Sequence, residues 1–297
     1  MRKFGLLVVL TWFGPATAAS PVPVKKSCGD GIVLKLSSGV ATQGNLLLVQ
    51  VTGAKQGQTI SAEWDGHAMP LWRESPDSAT LHSLAGVDLE MPAGSYEWKL
   101  SWTGADGHPL ACSQSIVVRE GKFPTERLSV ENQYVHPDPE QEKRAAEDQK
   151  KMKAIYDTVT PEVLWNGKFE LPLKGETEGK NFGRRRVLNG EARSPHTGVD
   201  FPAATGTPVY AAQAGKVALA ENLYFSGNTV VINHGFGIYT LYAHLSEIQV
   251  QAGDPVKASQ EIGKVGATGR VTGPHLHWGL TVNHAHIDAR QIVQQQP

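Results

Sequence analysis

Charge, cysteine and long apolar runs are all scarce in this sequence. Its 297 residues carry 28 basic and 29 acidic side chains, so the formal net charge is −1, and they include two cysteines. A nearly neutral chain offers no electrostatic reason to expect nucleic acid or an anionic membrane as a partner. Beyond the first 19 residues, no stretch approaches the ~20 apolar residues of a membrane-spanning helix. With 40% hydrophobic and 19% charged residues, the composition is typical of a folded soluble protein.

The first residues differ from the rest of the chain. Arg2 and Lys3 precede an apolar run from Phe4 to Phe13, and Ala16-Thr17-Ala18 follows as an A-x-A arrangement of small residues. This pattern predicts a cleaved signal peptide over residues 1–19, with an uncleaved anchor as the alternative. We therefore expect a mature protein that is exported to the periplasm or secreted and that has no membrane segment after cleavage. Its oligomeric state stays open.

The two cysteines, Cys28 and Cys112, are an even pair in a compartment that favours disulfides. A bridge between them would close a loop of more than eighty residues. In the chain-entropy account, such a bridge stabilises the fold by about 4–5 kcal/mol. Two unpaired thiols are the alternative.

Turn residues cut the N-terminal region into short segments in which apolar and polar positions alternate. Strands at a spacing of roughly 8–12 residues predict an immunoglobulin-like β-sandwich over residues 20–122. Within it, SYEWKLSWTG places Trp98 and Trp102 on one face of a strand. We expect these two rings in the core, and a surface that stacks on sugars is the alternative.

A change of composition separates this region from the C-terminal one. Two prolines and a run of dense charge predict a connector over residues 123–163, with a solvated helix that begins at Asp138 or Pro139 and ends before Pro161. From residue 164 to 297, short strands and glycine-rich turns return and predict an antiparallel β domain with almost no helix. The predicted fold class is therefore mainly β.

Histidines occur in three short motifs of the C-terminal region. SPHTGVDF contains His196 and Asp200, LYAHLS contains His244, and TGPHLHWGL contains His275 and His277. Residues i and i+2 of a strand point to the same side, so the last two histidines project from one face. Imidazole and carboxylate are good zinc ligands, and a catalytic zinc uses three of them. Five candidates therefore leave two side chains for proton transfer or for stabilising an oxyanion, which favours a hydrolase over a structural zinc site.

Other polar residues of this region carry weaker signals. His284-Ala285-His286 repeats the His-x-His spacing, but it lies in a polar turn, and we interpret it as a solvated hairpin loop. Asn181 and the Arg184–Arg186 run precede the first motif, where they either line a cleft or form a solvated loop. His234 is interpreted as a turn histidine, with a position near the site as the alternative.

The motifs HTGVD, YAHL and GPHLHW, in this order, resemble those of the lysostaphin-type (LytM-like) zinc metalloendopeptidases, which cleave peptide bonds in bacterial peptidoglycan. The resemblance covers about residues 165–290. It implies one Zn²⁺ per chain, a peptidoglycan peptide as substrate, and a catalytic domain of the lysostaphin/LytM type over residues 164–297. The implied ligands are His196, Asp200 and His277, and the implied catalytic residues are His244 and His275. The N-terminal region is similar, more weakly, to the accessory domain of some exported members.

Two other functions remain open. A latent or non-enzymatic cell-wall regulator, such as an amidase activator or a wall-binding module, would have its zinc site covered by the accessory domain or by residues 176–194. A carbohydrate-binding β protein would need several tryptophans exposed on one surface, among them Trp64, Trp72, Trp98 and Trp102. Neither the peptidoglycan bond that is cut nor the role of the N-terminal domain follows from the sequence.

Overall fold

The computed structural model describes residues 22–129, 135–136, 138–175, 179 and 181–295. The predicted signal peptide over residues 1–19 lies outside these residues. No helix within the described ranges is both long enough and apolar enough to cross a membrane. Strands are the main secondary structure throughout, which confirms the prediction of a mainly β protein.

The N-terminal region forms two sheets that enclose one core. Its strands are, in chain order, β1 (Val24–Gly29), β2 (Ile32–Leu36), β3 (Val40–Thr42), β4 (Leu46–Thr52), β5 (Ile60–Trp64), β6 (His67–Met69), β7 (Thr80–Gly86), β8 (Gly94–Thr103) and β9 (Pro109–Arg119). One sheet has the order β1-β2-β4-β7 and the other β3-β9-β8-β5-β6. Alternate residues of both sheets, such as Val51 and Ile116, are buried in a shared apolar cluster. The immunoglobulin-like topology itself stays a prediction.

The tryptophans lie in the interior. Trp98 and Trp102 are 0% and 5% exposed, and Trp64 and Trp72 are also buried. The predicted core position of the first two is therefore confirmed. Because stacking on a sugar needs an exposed ring face, the carbohydrate-binding alternative that relied on these four residues is wrong.

Cys28 and Cys112 form a disulfide. The bond joins β1 in one sheet to β9 in the other, across 84 residues of sequence. The alternative of two free thiols is therefore wrong.

The disulfide is expected to contribute strongly to the stability of the sandwich. We expect the Cys28→Ser/Cys112→Ser double variant to lose about 4–5 kcal/mol of unfolding free energy, since its unfolded chain regains the freedom of the closed loop. Urea unfolding of both proteins, with and without reductant, measures the difference. Reductant should lower the midpoint of the wild type alone, and equal midpoints for both proteins would contradict the expectation.

The connector helix is present, but it is not solvated all round. Helix α1 (Pro139–Tyr156) begins after Asp138, whose carboxylate accepts a hydrogen bond from the Gln141 N–H in a capping box. The predicted start and end are thus confirmed. One side of the helix, however, packs Met152, Ile155 and Tyr156 against the C-terminal sheet. The rest of the helix is mostly exposed, as predicted, and this stripe recurs at helical spacing and covers an apolar sheet face.

Polar contacts fix the same helix on the sheet. Arg144 donates a hydrogen bond of 2.8 Å to the Asn222 side chain, and the Lys151 ammonium lies 2.7 Å from the Glu221 carboxylate. Both partners belong to one strand of the C-terminal sheet. The connector thereby becomes part of the C-terminal domain's outer layer.

The C-terminal region is antiparallel in its large sheet, as predicted. Its elements are β10 (Thr125–Leu128), β11 (Arg185–Leu188), β12 (Glu191–Ala192), β13 (Gly198–Pro202), β14 (Pro208–Tyr210), β15 (Gly215–Leu223), β16 (Gly227–Gly235), β17 (Ile238–Ile248), β18 (Pro255–Val256), β19 (Glu261–Val265), β20 (His275–Val282), β21 (Ala285–Ile287) and helix α2 (Arg290–Gln295). Strands β13 to β21 form this sheet, whose main order is β13-β20-β17-β16-β15-β18. Strands β10, β11 and β12 form a small separate sheet in which β10 and β11 are parallel.

The two regions pack directly on each other. One apolar cluster contains Leu46, Trp72 and Leu84 of the sandwich together with residues of the C-terminal sheet. The Trp72 ring meets that of Trp165 edge to face, with centroids 5.4 Å apart. Such a shared core holds the regions together more firmly than the connector alone could.

The second His-x-His motif lies at this interface. Asn283 and His284 both have left-handed φ angles, as the two central residues of a tight hairpin turn between β20 and β21 require. The predicted hairpin is therefore confirmed, but only His284 is exposed, because Ala285 and His286 belong to β21 and Ala285 is buried. The His286 N–H donates a 2.7 Å hydrogen bond to the Asp88 carboxylate of the sandwich, so this histidine helps to join the two regions.

Candidate metal centre

Three neighbouring strands bring the histidine motifs together. In the antiparallel pairing of β13 with β20, Asp200 lies opposite His277. On the other side of β20, His277 lies opposite Ala243, the residue before His244 on β17. The turn that precedes β13 supplies His196. Residues separated by up to 81 positions in sequence thus share one sheet surface.

Three of these side chains offer their ligand atoms to a common point. The His196 Nε2 atom lies 3.0 Å from Asp200 Oδ1 and 2.9 Å from His277 Nδ1, and the latter two atoms are 3.0 Å apart. Donor atoms of a tetrahedral zinc site with bonds near 2.1 Å are about 3.4 Å apart. Two imidazoles and a carboxylate at these separations fit zinc. This is the one group of three possible ligands found among the described residues.

Asn181 holds two of the three ligands in place. Its side-chain N–H donates to Asp200 Oδ2 at 2.8 Å, and its side-chain oxygen accepts from the Asp200 N–H at 2.9 Å. Its backbone carbonyl lies 3.1 Å from His196 Nδ1. Because a carbonyl can only accept, Nδ1 carries the proton and Nε2 presents its lone pair to the site. From the sequence, Asn181 either lined a cleft or belonged to a solvated loop. Its position shortly before the HTGVD motif was the one sequence feature that suggested a role at the site.

The electrostatics favour the protonation states that a metal needs. Burial alone would raise the pKa of Asp200, but the neighbouring His196 and His277 imidazoles hold it well below its usual range, so this carboxyl is ionised. Burial lowers the pKa of His277, against the opposing effect of its hydrogen bond to Asp200. A carboxylate and neutral imidazoles are the forms that bind metal ions.

The remaining two histidines stand beside the three ligands. The rings of His244 and His275 have centroids 4.8 Å apart, and His275 Nε2 lies 3.7 Å from Asp200 Oδ1. Each Nδ1 lies 2.9 Å from a backbone carbonyl, that of Thr268 for His244 and that of Gly273 for His275. In both rings, therefore, Nδ1 donates and Nε2 is the unprotonated nitrogen of the neutral form.

His244 is also held in an unusual conformation. It has a φ of +63°, in the left-handed region that few residues other than glycine adopt. Burial, followed by the nearby charge of His277, lowers the pKa of His244 to about 3, so its imidazole is neutral at neutral pH. A neutral imidazole with its Nε2 lone pair free can accept a hydrogen bond from a group bound at this surface.

The His277 ring packs against Gly198, where a larger residue would leave it no room. A Cβ added there would lie 2.6 Å from the Trp278 carbonyl oxygen and 2.7 Å from His277 Nε2. We expect Gly198→Ala to displace the ring and to weaken zinc binding about 10- to 100-fold, the range seen when the residues that orient ligands are changed. A zinc titration against a competing chelator measures the affinity. Gly273→Ala is the matched control, since its Cβ would meet no atom within 4 Å. Equal affinity in both variants would contradict the expected clash.

His234 is not one of the three candidate ligands, and the side chains of Arg184 and Arg186 pair with a glutamate. His234 is fully buried on β16, where Nδ1 donates to the Ala214 carbonyl at 2.7 Å, so its interpretation as a turn histidine is wrong. Burial lowers its pKa to about 4. Arg184 and Arg186 lie at 3.5 and 3.8 Å from the Glu126 carboxylate on β10.

Fold and site together define a class: a β domain in which two histidines and an aspartate could hold a metal ion, with two further histidines beside them. Residues 194–289 match peptidase family M23. The chain therefore contains a domain of peptidase family M23, the LytM or lysostaphin type.

Peptidases of other bacteria are similar in sequence to this part of the chain. The peptidoglycan DD-endopeptidase ShyA of Vibrio cholerae is 46% identical over 110 residues, which are 37% of this chain and 26% of ShyA. The DD-carboxypeptidase/endopeptidase Mpg of Neisseria meningitidis is 41% identical over 102 residues, or 34% of this chain and 24% of Mpg. This chain thus spans about a quarter of the length of such relatives.

One solved structure is similar over nearly the whole chain. It is a crystal structure of a peptidase M23 from Pseudomonas aeruginosa, with a TM-score of 0.64 and 28% identity. The similarity covers 85% of this chain and 94% of the other. It therefore includes residues of the N-terminal region as well as the M23 domain.

Proposed function

We propose that the protein is an exported zinc metalloendopeptidase that hydrolyses peptide bonds in peptidoglycan stem peptides or crosslinks. The observation that carries this proposal is the convergence of three ligands, His196, Asp200 and His277, with two histidines that the metal does not need. A structural zinc site would be closed by four protein ligands and would have no use for free bases. The names of ShyA and Mpg support peptidoglycan as the substrate.

The proposed chemistry divides the site into a metal part and a proton-transfer part. When bound by His196, Asp200 and His277, Zn²⁺ supplies a Lewis acid that polarises the scissile carbonyl and lowers the pKa of water. Nε2 of one free histidine, His244 or His275, accepts the proton of the attacking water. The other histidine stabilises the developing oxyanion or protonates the leaving amine.

We also propose where the protein acts and what each of its segments does. A signal peptide over residues 1–19 would deliver the chain to the cell envelope, where the Cys28–Cys112 disulfide is stable. Residues 20–122 would be the accessory domain, residues 123–163 the connector and residues 164–297 the peptidase domain. The mature protein meets its peptidoglycan substrate there without a membrane segment or a nucleic-acid partner.

Hydrolysis of purified peptidoglycan tests the proposed function. We expect the zinc-loaded protein to release new amino groups, a chelator to abolish the release, and added zinc to restore it. The control is chelated protein that receives Mg²⁺, which prefers oxygen ligands. A protein that holds one zinc per chain and releases no amino groups would instead indicate a latent or regulatory cell-wall protein.

A further inference from the structure

A cleft of about 710 Å³ lies between helix α1 and the C-terminal sheet. One wall is the side of α1 that carries Asp148, Met152 and Tyr156, which follow one another at intervals of four residues and so share one face of the helix. The facing wall includes Leu223 at the end of β15 and Ser226 in the turn that follows it. We call this space the α1 cleft.

The α1 cleft adjoins the backbone of a candidate catalytic residue. The carbonyl of Ser226, a wall residue, accepts a 2.9 Å hydrogen bond from the His244 N–H. Helix α1 itself precedes residues 194–289, which match peptidase family M23. The cleft is therefore built partly by residues outside the matched domain, and it lies next to the segment that holds His244.

Much of the cleft wall is apolar. Leu223 is buried in a small apolar cluster of the sheet, against which Met152 and Tyr156 pack from the helix. The Tyr156 ring meets the Tyr239 ring of this cluster edge to face, with centroids 5.4 Å apart. Methylene groups that enter such a space leave water, which favours binding. The lining therefore suits an aliphatic chain.

One negative charge in the lining is unpaired. The Asp148 carboxylate is half-buried and accepts a 2.7 Å hydrogen bond from the Tyr224 N–H, and it has no salt-bridge partner among the residues that the structure describes. The second carboxylate of the lining, that of Asp157, is already paired with Lys153 at 2.5 Å and with His284 at 3.3 Å. A cation that enters the cleft would therefore find its partner in Asp148.

We propose that the α1 cleft binds an aliphatic chain that ends in an ammonium group, and that the ammonium pairs with Asp148. The identity of this ligand rests on the proposed function. Peptidoglycan stem peptides contain a diamino acid, whose side chain carries an amine at the end of a short run of methylene groups. The methylenes match the apolar wall, and the amine forms a charge-assisted hydrogen bond with the carboxylate. Asp148 is thus a specificity-determining residue for the substrate peptide.

Binding measured without turnover tests the proposal. The protein is the zinc-loaded full chain with His275→Ala, and the probes are fluorescein-labelled L-Ala-γ-D-Glu-L-Lys-D-Ala-D-Ala and the same peptide with norleucine in place of lysine. Norleucine keeps the side-chain carbons and lacks the ammonium. We expect fluorescence anisotropy to show roughly five- to tenfold tighter binding of the lysine peptide, an effect between those of an exposed ion pair and of a buried charged hydrogen bond.

Two variants of neighbouring residues identify the carboxylate responsible. Asp148→Asn keeps an oxygen that accepts the Tyr224 N–H, so the helix retains this contact, but the preference for the lysine peptide should disappear. Glu147→Gln is the matched control, because it removes the same charge from the next residue of the helix, where the side chain is exposed and outside the lining. It should keep the full preference.

Three results would overturn the proposal. The first is equal binding of the two peptides by the protein that retains Asp148, a comparison that needs no change in the cleft. The second is an Asp148→Asn protein that still prefers lysine. The third is a Glu147→Gln protein that loses the preference as well, since the overall charge of the helix would then be responsible.

The outcomes also separate this proposal from the proposed function. A protein that prefers the lysine peptide through Asp148 but never cleaves peptidoglycan would overturn the hydrolase and leave the α1 cleft as a binding site. A protein that cleaves peptidoglycan but binds both peptides equally would overturn the role of the cleft alone.

Discussion

Asp200→Ala is expected to release zinc and to reduce peptidoglycan hydrolysis to the background rate. Asp200 Oδ1 lies 3.0 Å from the ligand atoms of both His196 and His277, so its loss removes one of the three candidate ligands and its negative charge. Zinc sites bind with roughly 10–16 kcal/mol, and one ligand in four accounts for about 3 kcal/mol of this. We therefore expect the zinc affinity to fall roughly 100- to 1,000-fold.

Two companion variants separate loss of the ligand from loss of the fold. Asp200→Asn keeps the volume and the hydrogen bond from the Asp200 N–H to Asn181, but it lacks the negative charge, so it should also lose zinc. Asp77→Ala removes an exposed carboxylate from the sandwich and should change neither zinc content nor rate. Zinc per chain, measured after dialysis, gives the answer. An Asp200→Ala protein that retains one zinc would show that another residue completes the site.

His275→Ala is expected to keep zinc and to lower the rate of hydrolysis about 10²- to 10⁴-fold, the usual contribution of a group that transfers a proton. Its Nδ1 is bound by the Gly273 carbonyl, and its Nε2 stands 3.7 Å from Asp200, outside the shorter contacts of the three ligands. Removal of the ring therefore leaves the ligand set complete. His244→Ala should show a similar loss of rate.

The chain contains its own control for this experiment. His284 belongs to a second His-x-His motif, but it lies 40% exposed in the hairpin turn after β20. His284→Ala should retain both zinc and rate, which are measured by metal analysis and by release of amino groups. If His275→Ala lost its zinc, His275 would be a ligand, and if it kept the full rate, proton transfer would have to be assigned elsewhere.

Features that depend on neighbours in sequence were predictable. The shared face of His275 and His277 follows from the twofold repeat of a strand, and both residues lie on β20. The start of α1 follows from Asp138, Pro139 and the N–H groups that a first helical turn leaves unpaired. The alternation of apolar residues likewise predicted two strand-rich regions and the burial of Trp98 and Trp102.

Features that depend on residues far away in the sequence could not be predicted. The stripe of Met152, Ile155 and Tyr156 could be seen in the sequence, but the sheet face that it covers is built by strands more than sixty residues away. His234 had no local feature that distinguishes a buried strand from a turn. The support that Asn181 gives to Asp200 and His196 required the fold to bring a preceding loop against β13.

By itself, the sequence determined the mainly β class, the disulfide candidates and the five side chains whose chemistry suits a zinc hydrolase. These features depend only on residue type and on the spacing of apolar residues along short segments. Only the tertiary structure decided that His196, Asp200 and His277 meet within 3.0 Å and that two further histidines stand beside them. It also decided that the sandwich and the M23 domain share a core. Strand register and sheet order set these distances, and both are fixed by packing over the whole chain and not by any short segment.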